Sequence, residues 1–92
     1  MNMEGSSLLV NINVLFFAKS RELAKTSRAE FTVESVIKAG NLLNQLIDSF
    51  NLNTISNNLI IAHNENYIEN LDTEIHLHKG DEIAVIPPIS GG

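Results

Sequence analysis

The chain ends in six residues whose types suit transfer of an acyl group, and the reactive centre would be the terminal carboxyl. This ending reads Pro-Pro-Ile-Ser-Gly-Gly, from Pro87 to Gly92. Gly91 and Gly92 carry no Cβ, so they can pass through a narrow channel and adopt backbone angles closed to other residues. Because a free carboxylate is a poor electrophile, Gly92 would need prior activation by another enzyme, for example as a mixed anhydride with AMP. A frayed terminus without any chemistry is the alternative.

Two prolines determine how this ending leaves the folded part of the chain. Pro87 and Pro88 lack amide donors and have a fixed φ, so they end a paired strand and favour a stiff, extended conformation. The alternation of the preceding residues predicts a strand that ends at Ile86, with successive side chains on opposite faces. Since six extended residues span roughly 20 Å, the tail over 87–92 is long enough to enter a pocket of another protein.

Composition limits what the rest of the chain can do. A length of 92 residues predicts one domain with a modest core and no deep catalytic pocket of its own. Hydrophobic residues make up 43% and charged residues 18%, as in ordinary folded proteins. The absence of cysteine excludes disulfides, thiolate metal sites and a cysteine nucleophile. A formal charge of −5 argues against nucleic acid as a ligand and favours a basic partner.

The amino-terminal residues indicate a compartment. They contain no basic region, and the apolar run that follows is interrupted by Asn11 and Asn13. This pattern predicts neither a signal peptide nor a membrane span. We therefore expect a cytosolic protein that has no membrane partner.

Hydrophobic periodicity predicts the elements that position the tail. One amphipathic helix, capped by Ser35, is expected from about Val36 to Phe50, with Gly40 inside it at a cost of about 1 kcal/mol. Strands are expected at Leu9–Phe17, Arg28–Val33, Leu59–His63, Tyr67–Ile68 and in the final segment, with a short helix over 18–25 and no assignment for 71–74. A four- or five-stranded sheet around one helix is an α+β roll.

This arrangement predicts an apolar patch near the tail. If the first and last strands lie side by side, Phe17 and Ile86 emerge on the sheet face away from the helix, where Tyr67 joins them. These three side chains would form an exposed apolar patch, in which Phe17 is a candidate partner contact. The alternative for Phe17 is that the short helix after it simply covers its ring.

Other polar residues give weaker indications. His76 and His78 lie two apart and could share a strand face, but a metal site needs further ligands, so no metal is predicted. His63 is interpreted as a strand-end residue. Arg21 and Glu22 are interpreted as a solvated helix face rather than a partner contact.

Two stretches resemble a known family. Residues 14–23 read Val-Leu-Phe-Phe-Ala-Lys-Ser-Arg-Glu-Leu, and residues 80–92 read Gly-Asp-Glu-Ile-Ala-Val-Ile-Pro-Pro-Ile-Ser-Gly-Gly. Together they are similar to small subunits of molybdopterin synthases, which are ubiquitin-like β-grasp sulfur carriers. The resemblance covers the chain from about Leu9. It implies a flexible N-terminus at 1–8, a β-grasp domain at 9–86 with a mixed four- to five-stranded sheet on one main helix, and an extended tail at 87–92.

The resemblance also implies a function. A ubiquitin-activating-type adenylyltransferase and sulfurtransferase would use ATP to adenylate Gly92, and sulfur would replace AMP to give a thiocarboxylate. The tail, formed by Pro87, Pro88, Ile89, Ser90, Gly91 and Gly92, would then deliver sulfur to cyclic pyranopterin monophosphate in a large subunit that holds the catalytic pocket. Two small and two large subunits would form a heterotetramer, and the small subunit would hold no permanent cofactor.

The same resemblance places apolar partner contacts at Phe17, Tyr67 and Ile86, although Tyr67 departs from the more common aliphatic residue.

The sequence leaves three function classes open. They are a carrier for molybdopterin synthesis, a carrier for thiamine or tRNA thiolation or a protein modifier, and an interaction module with an inert tail. The proline pair before Ile89 and Ser90 favours the first class.

Overall fold

The computed structural model describes residues 8–88, which form a five-stranded sheet, a two-stranded sheet and one main helix. The elements in chain order are β1 (Leu9–Phe16), α1 (Ala18–Ala24), β2 (Arg28–Glu34), β3 (Val36–Lys38), α2 (Ala39–Phe50), a 3-10 helix (Asn53–Asn58), β4 (Ile60–His63), β5 (Asn66–Ile68), β6 (Glu74–His76) and β7 (Glu82–Ile86). The large sheet has the order β2-β1-β7-β4-β5, and β3 pairs with β6. Only the pairing of β1 with β7 is parallel within these described strands.

The core lies between α2 and one face of the large sheet. Every second residue of β1 from Ile12 onward is buried, as are Ile83 and Val85 of β7, because side chains alternate along a strand. Residues three and four apart on α2 share the face that meets them. The buried residues of α2 are Ala39, Leu42, Leu43, Leu46 and Ile47. The predicted α+β architecture, a sheet packed on one main helix, is confirmed.

The predicted start of the main helix is wrong by one turn. The helix begins at Ala39 and its N-cap is Lys38, so Ser35 does not cap it. The residues before it form β3, where Ile37 lies opposite Ile75 of β6 in an antiparallel pair. Val36 and Ile37 are β-branched, and β6 offers them a ladder partner, which outweighs their fit to the helical period.

Gly40 lies where α2 meets residues 71–74, for which no element was predicted. The N–H of Gly40 donates to the carbonyl of Leu71 at 2.8 Å, and the N–H of Ala39 donates to the carbonyl of Thr73 at 2.8 Å. Both bonds satisfy amides that have no partner inside the helix. A Cβ at position 40 would lie 3.2 Å from the Leu71 oxygen. Glycine therefore permits this close approach of two backbones.

A tight hairpin joins β4 to β5 and also braces the start of β7. Asn64 and Glu65 have φ values of 49° and 74°, as a two-residue hairpin turn with both φ positive requires. The Asn64 N–H donates to the Glu82 carbonyl at 2.9 Å, and its Oδ1 accepts from the Glu82 N–H at 2.8 Å. These two hydrogen bonds fix the start of β7 beside the hairpin. Within residues 8–88, no helix is long and apolar enough to cross a membrane.

Candidate functional site

The predicted tail begins at the end of a strand that is paired on both sides. In β7, Val85 lies opposite Phe16 of β1 and Ile61 of β4, and Ile86 lies opposite Ile60. Because both neighbours hydrogen-bond to β7, the point where the chain leaves the sheet is fixed. Pro87 and Pro88 follow directly. The predicted site residues Ile89, Ser90, Gly91 and Gly92 lie outside the described residues.

The sheet face opposite α2 carries an apolar row that crosses four strands. Leu15 lies opposite Ala84, Ala84 opposite Ala62, and Ala62 opposite Tyr67. Beside this row is an open groove of about 280 Å³ whose lining includes Phe17, Tyr67 and Ile86. The structure therefore brings together the three residues that the sequence predicts as partner contacts.

A second groove extends this surface towards the tail. Its volume is about 720 Å³, and its lining includes Ile60, Leu71, Pro87 and Pro88. Tyr67 and Ile86 line both grooves, so the two are continuous. We call this region the outer apolar surface, and it consists of Phe17, Ile60, Tyr67, Leu71 and Ile86.

Sequence reasoning missed two members of the outer apolar surface. Ile60 and Leu71 are 40% and 44% exposed. The alternation of β4 could have indicated Ile60, since its neighbour Ile61 is buried. Leu71 lies in a segment without a periodic signal, and only its contact with α2 fixes its place.

The position of Phe17 depends on the turn between β1 and α1. Phe17 is the N-cap of α1, and the next residue, Ala18, has a φ of 53°. The Phe17 N–H donates to Ser20 Oγ at 3.0 Å, which is the backward half of a capping box. The helix begins beyond Phe17 and leaves it 46% exposed, so α1 does not cover the ring.

A half-buried carboxylate, that of Asp81, lies at the other end of β7. Asp81 Oδ2 lies 2.8 Å from His63 Nε2 and accepts the His78 N–H at 2.9 Å. Burial acts to raise the pKa of Asp81, but the bonds from His63, His78 and Asn64 outweigh it and lower the pKa from 3.8 to about 2. His63 is thus a strand-end residue with a structural partner.

Neither histidine of the pair His76 and His78 belongs to a metal cluster in the part of the chain that the structure describes. No group of three or more histidine, cysteine or acidic side chains there could hold a metal ion. His76 Nε2 lies 3.4 Å from Glu74 Oε1 in an exposed pair, and Arg21 and Glu22 are exposed on α1.

Comparison with known proteins identifies the family. The ThiS family matches residues 14–92. The molybdopterin synthase sulfur carrier subunit of Drosophila ananassae is 57% identical over 90 residues, which cover 98% of this chain and 100% of the relative. The chain belongs to the molybdopterin synthase sulfur carrier subunits. The resemblance carried by residues 14–23 and 80–92 is therefore confirmed.

Solved structures support the fold of this carrier family. The small archaeal modifier protein 1 from Methanosarcina acetivorans matches with a TM-score of 0.71 and 25% identity, over 92% of this chain and 99% of that one. A complex of subunits 1 and 2 of the molybdopterin-converting factor from Helicobacter pylori matches with a TM-score of 0.57 and 26% identity, over 90% and 100%. The predicted ubiquitin-like β-grasp fold is confirmed.

Proposed function

We propose that this chain is the sulfur carrier of a molybdopterin synthase and that Gly92 is the residue that carries the sulfur. The observation that supports this most strongly is the family match, which extends to Gly92, together with the full-length similarity to named sulfur carrier subunits. The central, doubly paired β7 supplies a fixed base for the tail that contains Gly92.

The proposed chemistry has two stages on this chain. A carboxylate oxygen of Gly92 attacks the α-phosphorus of ATP and releases pyrophosphate, which gives a glycyl adenylate. A sulfur nucleophile at the oxidation level of sulfide then attacks the carbonyl carbon and expels AMP, leaving a thiocarboxylate. Adenylation is needed because it supplies a leaving group that the free acid lacks. ATP is thus consumed by an activating enzyme, and we propose no cofactor bound permanently to the carrier.

Delivery of the sulfur requires a second protein. The thiocarboxylate sulfur attacks an oxygen-bearing carbon of cyclic pyranopterin monophosphate, and the carbon–oxygen bond there breaks, so that the oxygen leaves as water or stays on the opened phosphate. Water then cleaves the resulting thioester and restores the Gly92 carboxylate. Each carrier supplies one sulfur, so the dithiolene of one molybdopterin consumes two carriers. The large subunit provides the pocket and the charge stabilisation.

The proposed large-subunit partner is supported by the Helicobacter pylori neighbour, which is a complex of subunits 1 and 2. We propose a heterotetramer of two small and two large subunits in the cytosol. The outer apolar surface is the proposed contact, with Phe17, Tyr67 and Ile86 at its centre. Glu65 and Glu82 line the same groove, whose lining includes no basic residue, so a partner with basic groups around an apolar centre fits it.

Intact-mass analysis tests the proposal. The chain is incubated with ATP, the activating enzyme and a sulfur source, and we expect the mass increase for replacement of one oxygen by sulfur at Gly92. A chain that lacks Gly92 is the control and should keep its mass. If the full chain also stays unchanged while a known carrier is converted in the same mixture, the proposal is wrong.

Protein modification is the second candidate, because the Methanosarcina neighbour is named a modifier protein. In that case the activated Gly92 would form an amide bond with a lysine of another protein. The same incubation with cell extract then yields covalent adducts of higher mass. Binding to a large subunit without such adducts selects the carrier function.

A further inference from the structure

Ser20 is the one polar residue that is fully buried in the part of the chain that the structure describes. Its Oγ accepts the Phe17 N–H at 3.0 Å and lies 2.7 Å from the Phe17 carbonyl oxygen and 3.0 Å from the Val85 carbonyl oxygen. A hydroxyl has one proton to donate, so the two carbonyls share it. One side chain thus connects the start of α1 to the end of β7.

This connection lies where the first and last strands separate. Phe16 and Val85 are the last residues paired between β1 and β7. Beyond them Phe17 turns into α1, whereas Ile86 leads into the tail. Ser20 continues the link between the two chain segments past the end of the ladder. Ser20 therefore ties Phe17, a member of the outer apolar surface, to Val85, the residue that precedes Ile86.

The turn that Ser20 holds is an unfavourable one. Ala18 has a φ of 53°, a conformation that residues with a Cβ rarely adopt. Such a conformation persists only where the surroundings fix it. Two hydrogen bonds span this turn: Phe17 N–H donates to Ser20 Oγ at 3.0 Å, and Ser20 N–H donates to the Phe17 carbonyl at 3.1 Å.

We infer that Ser20 is a positioning residue for sulfur delivery, because its hydroxyl sets the Phe17 contact relative to the base of the tail. The inference rests on the proposed function, since it requires a partner that binds both. Ser20 touches no substrate. Its hydroxyl acts by orienting Phe17 and by binding the Val85 carbonyl. A plain capping role is the competing explanation, and it predicts a change in stability alone.

The test compares Ser20→Thr with Ser20→Val. These side chains have nearly the same shape, so the added bulk is matched and only the hydroxyl differs. We expect the Val variant to bind the large subunit about tenfold more weakly than the Thr variant, and amide hydrogen exchange at Phe17 to be faster in the Val variant. Val33→Ala, a buried change on edge strand β2, should lower the melting temperature without changing the affinity.

Equal affinity of the Thr and Val variants, with unequal melting temperatures, would overturn the inference and leave Ser20 a capping residue. Ser20→Ala gives a second comparison if the larger side chains prevent folding, and it should show the same loss of affinity and of Phe17 protection. Binding of the unmodified chain distinguishes a failure of the proposed function from a failure of the role of Ser20. If it does not bind the large subunit, the proposed function fails; if it binds and all folded variants bind equally, only the role of Ser20 fails.

Discussion

Replacement of Tyr67 by alanine should weaken the complex with the large subunit while the fold stays intact. Tyr67 is on the edge strand β5, is 68% exposed and lines both grooves of the outer apolar surface. A buried tyrosine covers about 200 Å², so a partner that covers the exposed part removes about 140 Å² from water. At about 25 cal/mol per Å², full coverage corresponds to about 3 kcal/mol. Because the hydroxyl is polar and coverage is incomplete, we expect a loss of about 10- to 100-fold in Kd.

Isothermal titration calorimetry with the isolated large subunit measures this loss. The matched control is Leu9→Ala, since Leu9 is 66% exposed and its place in β1 puts it on the same sheet face as Leu15. Leu15 is six positions after Leu9, which is about 20 Å along a strand. Its removal should leave the Kd unchanged.

Two results would contradict a specific contact between Tyr67 and the large subunit. Wild-type affinity in Tyr67→Ala would remove this side chain from the contact, and an equal loss in Leu9→Ala would show that the loss is not specific to the outer apolar surface. Melting temperatures of both variants are measured beside the titrations. A collapse for Tyr67→Ala would instead mean that its ring supports the fold.

Three further predictions concern stability and the two faces of β7. Since the pKa of Asp81 is lowered from 3.8 to about 2, its carboxylate stabilises the fold by at most about 2 kcal/mol above about pH 4. The advantage over Asp81→Asn in urea unfolding should vanish as the pH falls towards 2, and a gap independent of pH would contradict this. Gly40→Ala should lower the melting temperature, although alanine favours helices, because its Cβ would lie 3.2 Å from the Leu71 oxygen; a higher melting temperature would show that the backbones can separate without cost. Ile86→Asp should abolish partner binding and keep the native circular dichroism, whereas Val85→Asp, on the buried face, should unfold the chain; equal effects would contradict the assignment of faces.

Much of the architecture was predictable from the sequence because local patterns carry it. Alternation in β1 and β7 identifies the buried residues, and one helical stripe requires one sheet face to cover it. Phe17 and Ile86 follow from the same alternation once the first and last strands are placed side by side. The proline pair after Ile86 marks the end of β7.

What the sequence did not reveal depends on contacts between distant segments. Val36 and Ile37 fit a helical period as well as a strand, and only their pairing with β6 decides between the two. A glycine is favoured at position 40 because the Leu71 backbone lies close to where a Cβ would stand. The bond between His63 and Asp81 joins the last residue of β4 to the residue before β7, and neither segment alone indicates it.

Ser20 illustrates the same point at the candidate site. In the sequence it is a small polar residue of a short helix, with no sign that it is buried. Its role becomes visible when the carbonyl of Val85 lies 3.0 Å from its Oγ. Side-chain hydroxyls that reach across elements leave no periodic signal in the sequence, so such bonds are apparent only in the folded structure.

Single-turnover sulfur transfer shows whether Gly92 carries the sulfur that enters molybdopterin. The chain, prepared with a thiocarboxylate at Gly92, is mixed with the large subunit and cyclic pyranopterin monophosphate in the absence of ATP. We predict that molybdopterin forms, that two carriers are consumed for each product, and that their mass returns to that of the carboxylate form. Formation of the same product by a carrier whose terminal carboxylate is blocked as an amide, or no product from the thiocarboxylate form when it is bound to the large subunit, would contradict it.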